Sequence, residues 1–156
     1  MHIIPADFTH PAIVALLETH FATMHATGPE ESCHVLPIGA MQRADLFLFA
    51  AWDADPHGAE TLLGIGAFQR TSAQEGEVKS MHTAAAGRRM GVGQALLDHI
   101  ITSAQGLGIT RLNLETGAMD FFIPARALYA KNGFTTCAPF GDYRPDPNSI
   151  FMTRAI

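Results

Sequence analysis

Apolar residues along this chain recur with two different periods, and the changes of period mark out its elements. Ile13, Leu16, Leu17, Phe21 and Met24 lie three and four apart, the spacing of one helical face, and predict a helix over roughly residues 8–26. Asp7 or Thr9 is placed to cap that helix, and Gly28-Pro29 to end it. His2–Ile4 ahead of it is a short opening strand. Residues 29–44 are irregular, with one short helical turn expected around Ile38–Gln42. Leu46–Trp52 is a dense apolar run of strand length and Thr61–Gln69 is a second. The turn-forming Asp53–Gly58 between them predicts a hairpin. Gln74-Glu75-Gly76 turns the chain again, into Glu77–Thr83.

The helical period returns in Val92, Leu96, Leu97, Ile100, Ile101 and Ala104, and Gly106 and Gly108 stop it. Arg111–Glu115 alternates, with Leu112 and Leu114 on one face and Asn113 and Glu115 on the other. Pro124 lies near the start of a short helix that ends at Asn132-Gly133. Phe134–Cys137 and Ile150–Thr153 are two further strands, separated by the turn-rich stretch Pro139–Ser149. The order is strand, helix, three antiparallel-looking strands, helix, strand, helix, strand, strand. Residues 77–116 form a strand–helix–strand crossover, so its two strands should be parallel. Together these features predict one α/β domain over residues 1–156, a mixed and largely antiparallel sheet flanked by helices.

Composition narrows the function. Apolar residues make up 47% of the 156 positions and charged residues 16%, an ordinary globular balance. The formal net charge of −5 offers no electrostatic footprint for nucleic acid. Cys33 and Cys137 are the two cysteines, too few for a disulfide framework or a cysteine-based zinc site. His20, His25 and His34 lack the HExxH spacing, so no metal is expected. The N-terminal residues show neither a basic segment nor a long apolar run, and no apolar stretch reaches the ~18 residues of a membrane span. The expectation is a cytoplasmic protein.

The candidate chemistry centres on Arg88-Arg89-Met90-Gly91-Val92-Gly93, which reads R-x-x-G-x-G between a strand and a helix. That context places free backbone N–H groups at a helix N-terminus beside two arginines, a corner suited to pyrophosphate. A Rossmann fingerprint needs G-x-G-x-x-G, which is absent. A P-loop needs G-K-[ST], and Gly93 is followed by Gln94 and Ala95.

With Met81-His82-Thr83 before it and Leu128-Tyr129-x-x-x-Gly133-Phe134 after it, this motif resembles the GCN5-related N-acetyltransferases, the GNAT superfamily. The clear part of the resemblance is residues 77–134, the cofactor-binding core. It implies two central parallel strands that part around the cofactor, and acetyl-CoA as co-substrate. Met81 and Thr83 would offer backbone groups to the pantetheine arm, with Arg88, Arg89, Met90, Gly91, Val92, Gly93 and Gln94 around the phosphates. Tyr129 would protonate the leaving thiolate as general acid. Glu77 would help remove the proton of the acceptor amine, and Glu115, at the end of the neighbouring strand, is the alternative base. By alternation Glu77, Lys79, Met81 and Thr83 share one face, and His82 faces away from Glu77. Phe122 stands where many family members carry asparagine, which makes the nearby pocket more apolar. The loop Pro139–Ser149, together with residues 25–40, is placed to close over the acceptor. The function this implies is acetyl transfer to an amine, with a small cationic acceptor favoured by the acidic candidates. A CoA-binding regulatory module without turnover is the alternative. The family is often dimeric, which leaves a homodimer open.

Overall fold

The computed structural model describes residues 1–54 and 58–156; the middle of the expected Asp53–Gly58 turn lies outside the described residues. Seven strands form one sheet: β1 (His2–Pro5), β2 (Leu46–Ala54), β3 (Glu60–Arg70), β4 (Glu75–Thr83), β5 (Arg111–Gly117), β6 (Thr135–Cys137) and β7 (Ser149–Ala155). Their order in space is β1-β2-β3-β4-β5-β7-β6, and among the described residues β4–β5 is the one parallel pair. The helices are α1 (Pro11–Ala26), the single turn α2 (Ile38–Met41), α3 (Val92–Gly106) and α4 (Ile123–Lys131). The architecture is the expected mixed, largely antiparallel sheet with helices against it.

The two faces of the sheet bury two different clusters. On one, Val92, Leu96, Leu97 and Ile100 of α3 pack against Phe68, Val78, Leu112 and Leu114. On the other, Ile13, Leu16 and Leu17 of α1 pack against Leu46, Leu48, Ala50, Ile65 and Ala67. Leu96, Leu97 and Ile100 are fully buried, so truncating any one of them to alanine costs about 2–5 kcal/mol.

Helix α1 begins three residues later than its apolar spacing suggests. Neither Asp7 nor Thr9 caps it. His10 does, its Nδ1 accepting from Ala12 N at 3.2 Å, while Asp7 accepts from the amide and hydroxyl of Thr9. Pro11 fixes the first helical φ, and a proline there loses no bond because that N–H is unpaired in any helix.

Strand β4 departs from simple alternation, and the departure matters for the site. Ala67 pairs with Lys79 and Ile65 with His82, so Ser80 and Met81 together oppose Gly66. This is a β-bulge, with Ser80 at a φ of 54°. Cross-strand partners share a face. Glu77 and Lys79 therefore lie on the α1 face, with Gln69 and Ala67, and past the bulge His82 lies there too, with Ile65. Met81 is turned to the α3 face, where its sulfur sits over Gly66 beside Ile100, and Thr83 follows it. The expectation that Met81 and Thr83 share a face with Glu77, and that His82 turns away from it, is thus reversed by one extra residue.

Candidate active site

The parallel pairing of β4 and β5 runs only from Glu75↔Arg111 to Val78↔Leu114. Beyond it β4 continues to Thr83 and β5 to Gly117, unpaired with each other. A cleft of about 740 Å³ occupies this parting and its flanks, and its walls include Glu77, Thr83, Arg88, Gly93, Glu115 and Tyr129. The sheet edge inside it, Lys79–Thr83, leaves backbone groups of β4 without a partner strand on that side.

One end of the cleft is the start of α3. Arg89 at φ 64° and Gly91 at φ 75° curl the chain into the helix. A left-handed position costs a non-glycine residue roughly 1–2 kcal/mol, and nothing lies within 4 Å of where a Cβ on Gly91 would stand, so backbone conformation, not space, asks for glycine there. The first helical bond runs from Ala95 N to Gly91 O, which leaves the amides of Val92, Gly93 and Gln94 outside the ladder. Arg88, Arg89 and Met90 are exposed around them. This end therefore combines free donors, a helix dipole and the Arg88 guanidinium, which lines the cleft, with Arg89 exposed next to it in the chain; these are the features an anionic pyrophosphate needs. The Gln94 side chain is engaged elsewhere: it exchanges two hydrogen bonds, of 2.8 and 2.9 Å, with Asn132 and so ties α3 to the end of α4.

The middle of the cleft holds Tyr129. Its ring packs edge-on to Phe134 and the residue is 6% exposed. Burial, and then the nearby Glu115, push its phenol well above the ordinary tyrosine range, so it stays protonated. Helix α4 is fixed to the end of β5 by Arg126, which donates to the carbonyls of Gly117 (2.7 Å) and Met119 (3.1 Å). The Phe122 ring packs closely on Gly117, where any Cβ would fall about 2.1 Å from it. Only glycine permits that approach, and the apolar wall expected of Phe122 is built this way.

The far end carries the carboxylates. Glu77 is buried, and its Oε1 accepts from the Tyr143 hydroxyl at 2.5 Å and from Lys79 Nζ at 3.1 Å. Lys79 also reaches the Tyr143 oxygen at 3.3 Å, closing a triangle. Tyr143 stands edge-on to His34 and against Phe140 and Phe151. Glu115 is on the same sheet face, two residues past Asn113, the partner of Glu77. Burial raises its carboxyl above the usual range; Ser149, then His34, pull it back, and Glu77 pushes it further up. The Ser149 hydroxyl lies close enough to Glu115 to act on it, yet it is buried without a hydrogen bond of normal geometry among the described residues.

A second polar pair lines the cleft where α1 meets β4. His20 and His82 face each other through their Nδ1 atoms at 3.0 Å. Burial, and then His82, lower His20 to about 4, and burial, and then Arg88, lower His82. Both rings are neutral at pH 7, so one donates and the other accepts. Neither this pair nor Tyr143 as a neighbour of Glu77 was legible in the sequence, whereas Lys79 lies on the face of Glu77 as alternation predicts. The pair and Tyr143 come from α1, the Pro139–Ser149 loop and the β4 bulge, and meet their neighbours only in the fold. Asn148 of that loop donates to Ser32 Oγ at 3.3 Å, joining it to the segment after α1 over the cleft.

The family model for the acetyltransferase (GNAT) family matches residues 13–134. The chain belongs to that family. An uncharacterized N-acetyltransferase YsnE of Bacillus subtilis is 41% identical over the full length of both chains. An uncharacterized N-acetyltransferase YedL of Escherichia coli is 40% identical, over 96% of this chain and 91% of its own. An IAA acetyltransferase of Azospirillum brasilense is 34% identical over 93% of this chain and 91% of its own. A solved acyl-CoA N-acyltransferase from Klebsiella pneumoniae superimposes with a TM-score of 0.76 at 27% identity, over 99% of this chain and 96% of that one. This GNAT chain is an acyltransferase, of the acyl-CoA-dependent N-acetyltransferase kind. Among the described residues no helix is long and apolar enough to cross a membrane.

Proposed function

We propose that the chain transfers the acetyl group of acetyl-CoA to the amine of a small molecule by direct attack within a ternary complex. The observation that carries this reading is a single cleft whose walls hold the α3 phosphate corner, Tyr129 and both carboxylates. The residues present fit the co-substrate: the amides of Val92, Gly93 and Gln94 with Arg88 and Arg89 suit the pyrophosphate, and the unpaired edge of β4 at Met81–Thr83 suits the pantetheine amides. Acetyl-CoA supplies an acyl group activated as a thioester. Gly91 and its neighbours hold the loop in place, and Glu77 or Glu115 receives the proton of the arriving ammonium. Tyr129, kept protonated by its burial, donates to the departing sulfur. Backbone N–H groups of the β4 edge polarise the thioester carbonyl in this reading. Neither thiol is needed as a covalent carrier. Lys79 neutralises Glu77, so the acceptor end is less anionic than its two carboxylates suggest.

Tyr129→Phe tests the reading. Acetyl-CoA binding should be retained while kcat falls about 10²-fold, the size of a lost general acid. An unchanged kcat in Tyr129→Phe would remove Tyr129 from the chemistry.

A further inference from the structure

We propose that Glu115 takes the proton of the acceptor amine, and that Tyr143 and Lys79 hold Glu77 out of proton transfer as a fixed, orienting wall of the acceptor pocket. The proposal rests on the acetyl-transfer reading and divides between two residues a role that reading leaves shared. Glu77 is the less available carboxylate because two donors already hold its Oε1 and fix its orientation. Tyr143 donates to it at 2.5 Å and Lys79 at 3.1 Å, and Lys79 closes the triangle on the Tyr143 oxygen at 3.3 Å. Glu77 is buried and Lys79 and Tyr143 are partly so, so breaking the triangle leaves a buried carboxylate short of a partner. What the triangle does well is stand still: Tyr143 is wedged between His34, Phe140 and Phe151 and carries Glu77 with it. Tyr143 is thus a positioning residue.

Glu115 has the opposite surroundings. Among the described residues it has no salt bridge, and Ser149 Oγ, which lies close enough to act on it, makes no hydrogen bond of normal geometry. The groups that face it are Glu77 and Lys79 from β4, His34 from the segment after α1, Tyr129 from α4, and Tyr143 and Ser149 from the loop and start of β7. Its burial and the Glu77 charge favour the protonated form, which is what a proton acceptor needs. Its charge is also felt by Tyr129 across the parted strands. The two proton transfers are therefore linked. When Glu115 takes a proton from the ammonium, the negative charge that held the proton on Tyr129 is cancelled, and Tyr129 becomes the better acid at the moment the C–S bond breaks. The balance closes: one proton of the ammonium goes to Glu115, and nitrogen bonds the carbonyl carbon. The sulfur takes the Tyr129 proton, and the second proton shed by nitrogen restores Tyr129.

The test is the pH dependence of kcat and of the acceptor KM, at saturating acetyl-CoA, for wild type, Glu115→Gln, Glu77→Gln and Tyr143→Phe, with an amine that supports turnover. Glu115→Gln should lower kcat about 10²-fold or more and erase the acidic limb of the profile. Glu77→Gln and Tyr143→Phe should keep that limb and keep kcat within roughly threefold, raising the acceptor KM. Loss of the limb in Glu77→Gln, with the limb kept in Glu115→Gln, overturns the assignment. If both glutamine variants keep wild-type kcat and limb, no carboxylate is the base and the proposal fails while acetyl transfer stands. A wild type without turnover on any amine fails the transfer reading itself. Should Glu115→Gln not fold, Glu115→Ala gives the second arm: added formate should restore part of kcat, and no rescue in a folded, acetyl-CoA-binding variant counts against the proposal.

Discussion

Glu115, half-buried, and His20, buried, are ionisable side chains whose titrations are displaced in opposite directions, and each leaves its own mark on stability. A carboxyl raised in the folded state binds more protons there than in the unfolded chain, so stability falls as pH rises from about the ordinary value of 4.5 through the raised one. Glu115→Gln cannot ionise. Its Tm should therefore exceed that of the wild type at neutral pH, and the gap should close as pH falls below about 4.5, followed by thermal denaturation in a pH series. For His20, lowered to about 4 from 6.5, the unfolded chain binds the extra proton between those values. That part of stability is present above about 6.5 and is lost as pH drops towards 4. His20→Gln should flatten the acid-side fall in Tm over that window; an unchanged slope would show that the ring is charged in the folded protein. The Nδ1–Nδ1 contact with His82 sharpens this expectation, because two charged rings cannot sit 3.0 Å apart.

At the scale of elements, the start of α3 and the bulge of β4 do the most to shape the site. Gly91→Ala keeps the space but loses the conformation, so it should cost roughly 1–2 kcal/mol of stability. It should also raise the acetyl-CoA KM with a smaller change in kcat, as steady-state kinetics will show. The glycine loop, the helix behind it and Tyr129 at the strand parting were legible in the sequence, because each depends on local chemistry: a left-handed turn, a helical stripe, a motif at fixed spacing. The bulge was not. A pattern of alternating residues contains no sign of the extra one, and Ser80 is not the glycine or asparagine that advertises a positive φ. From that single insertion follow the side on which Met81 packs and the meeting of His82 with His20. Likewise His10 displaced Asp7 and Thr9 as the cap of α1 because Asp7 had a nearer partner in Thr9. The pairing of Tyr143 with Glu77 joins residues 66 positions apart, and no local pattern anticipates it.

Taken whole, the molecule is an acidic protein, of net charge −5, with the exposed Arg88 at one end of its cleft and the exposed Arg89 next to it in the chain. An anionic co-substrate is then drawn to a local positive spot against an unfavourable overall field, and both terms weaken with salt. Arg88→Ala and Arg89→Ala should raise the acetyl-CoA KM while kcat is kept, and each should reduce the change of KM between low and high ionic strength. A kcat that falls with KM unchanged would place these arginines outside cofactor binding. The fold brings the phosphate corner, the acid and the carboxylates to one opening between β4 and β5, and that convergence is the reason to expect chemistry and not binding alone. The direct measurement is free-thiol release from acetyl-CoA over a broad panel of small amines. At least one amine should give amine-dependent, saturable thiol release that Tyr129→Phe reduces about 10²-fold without loss of acetyl-CoA binding. Acetyl-CoA binding with no amine-dependent release across the panel would contradict the account and make the protein a CoA-binding module.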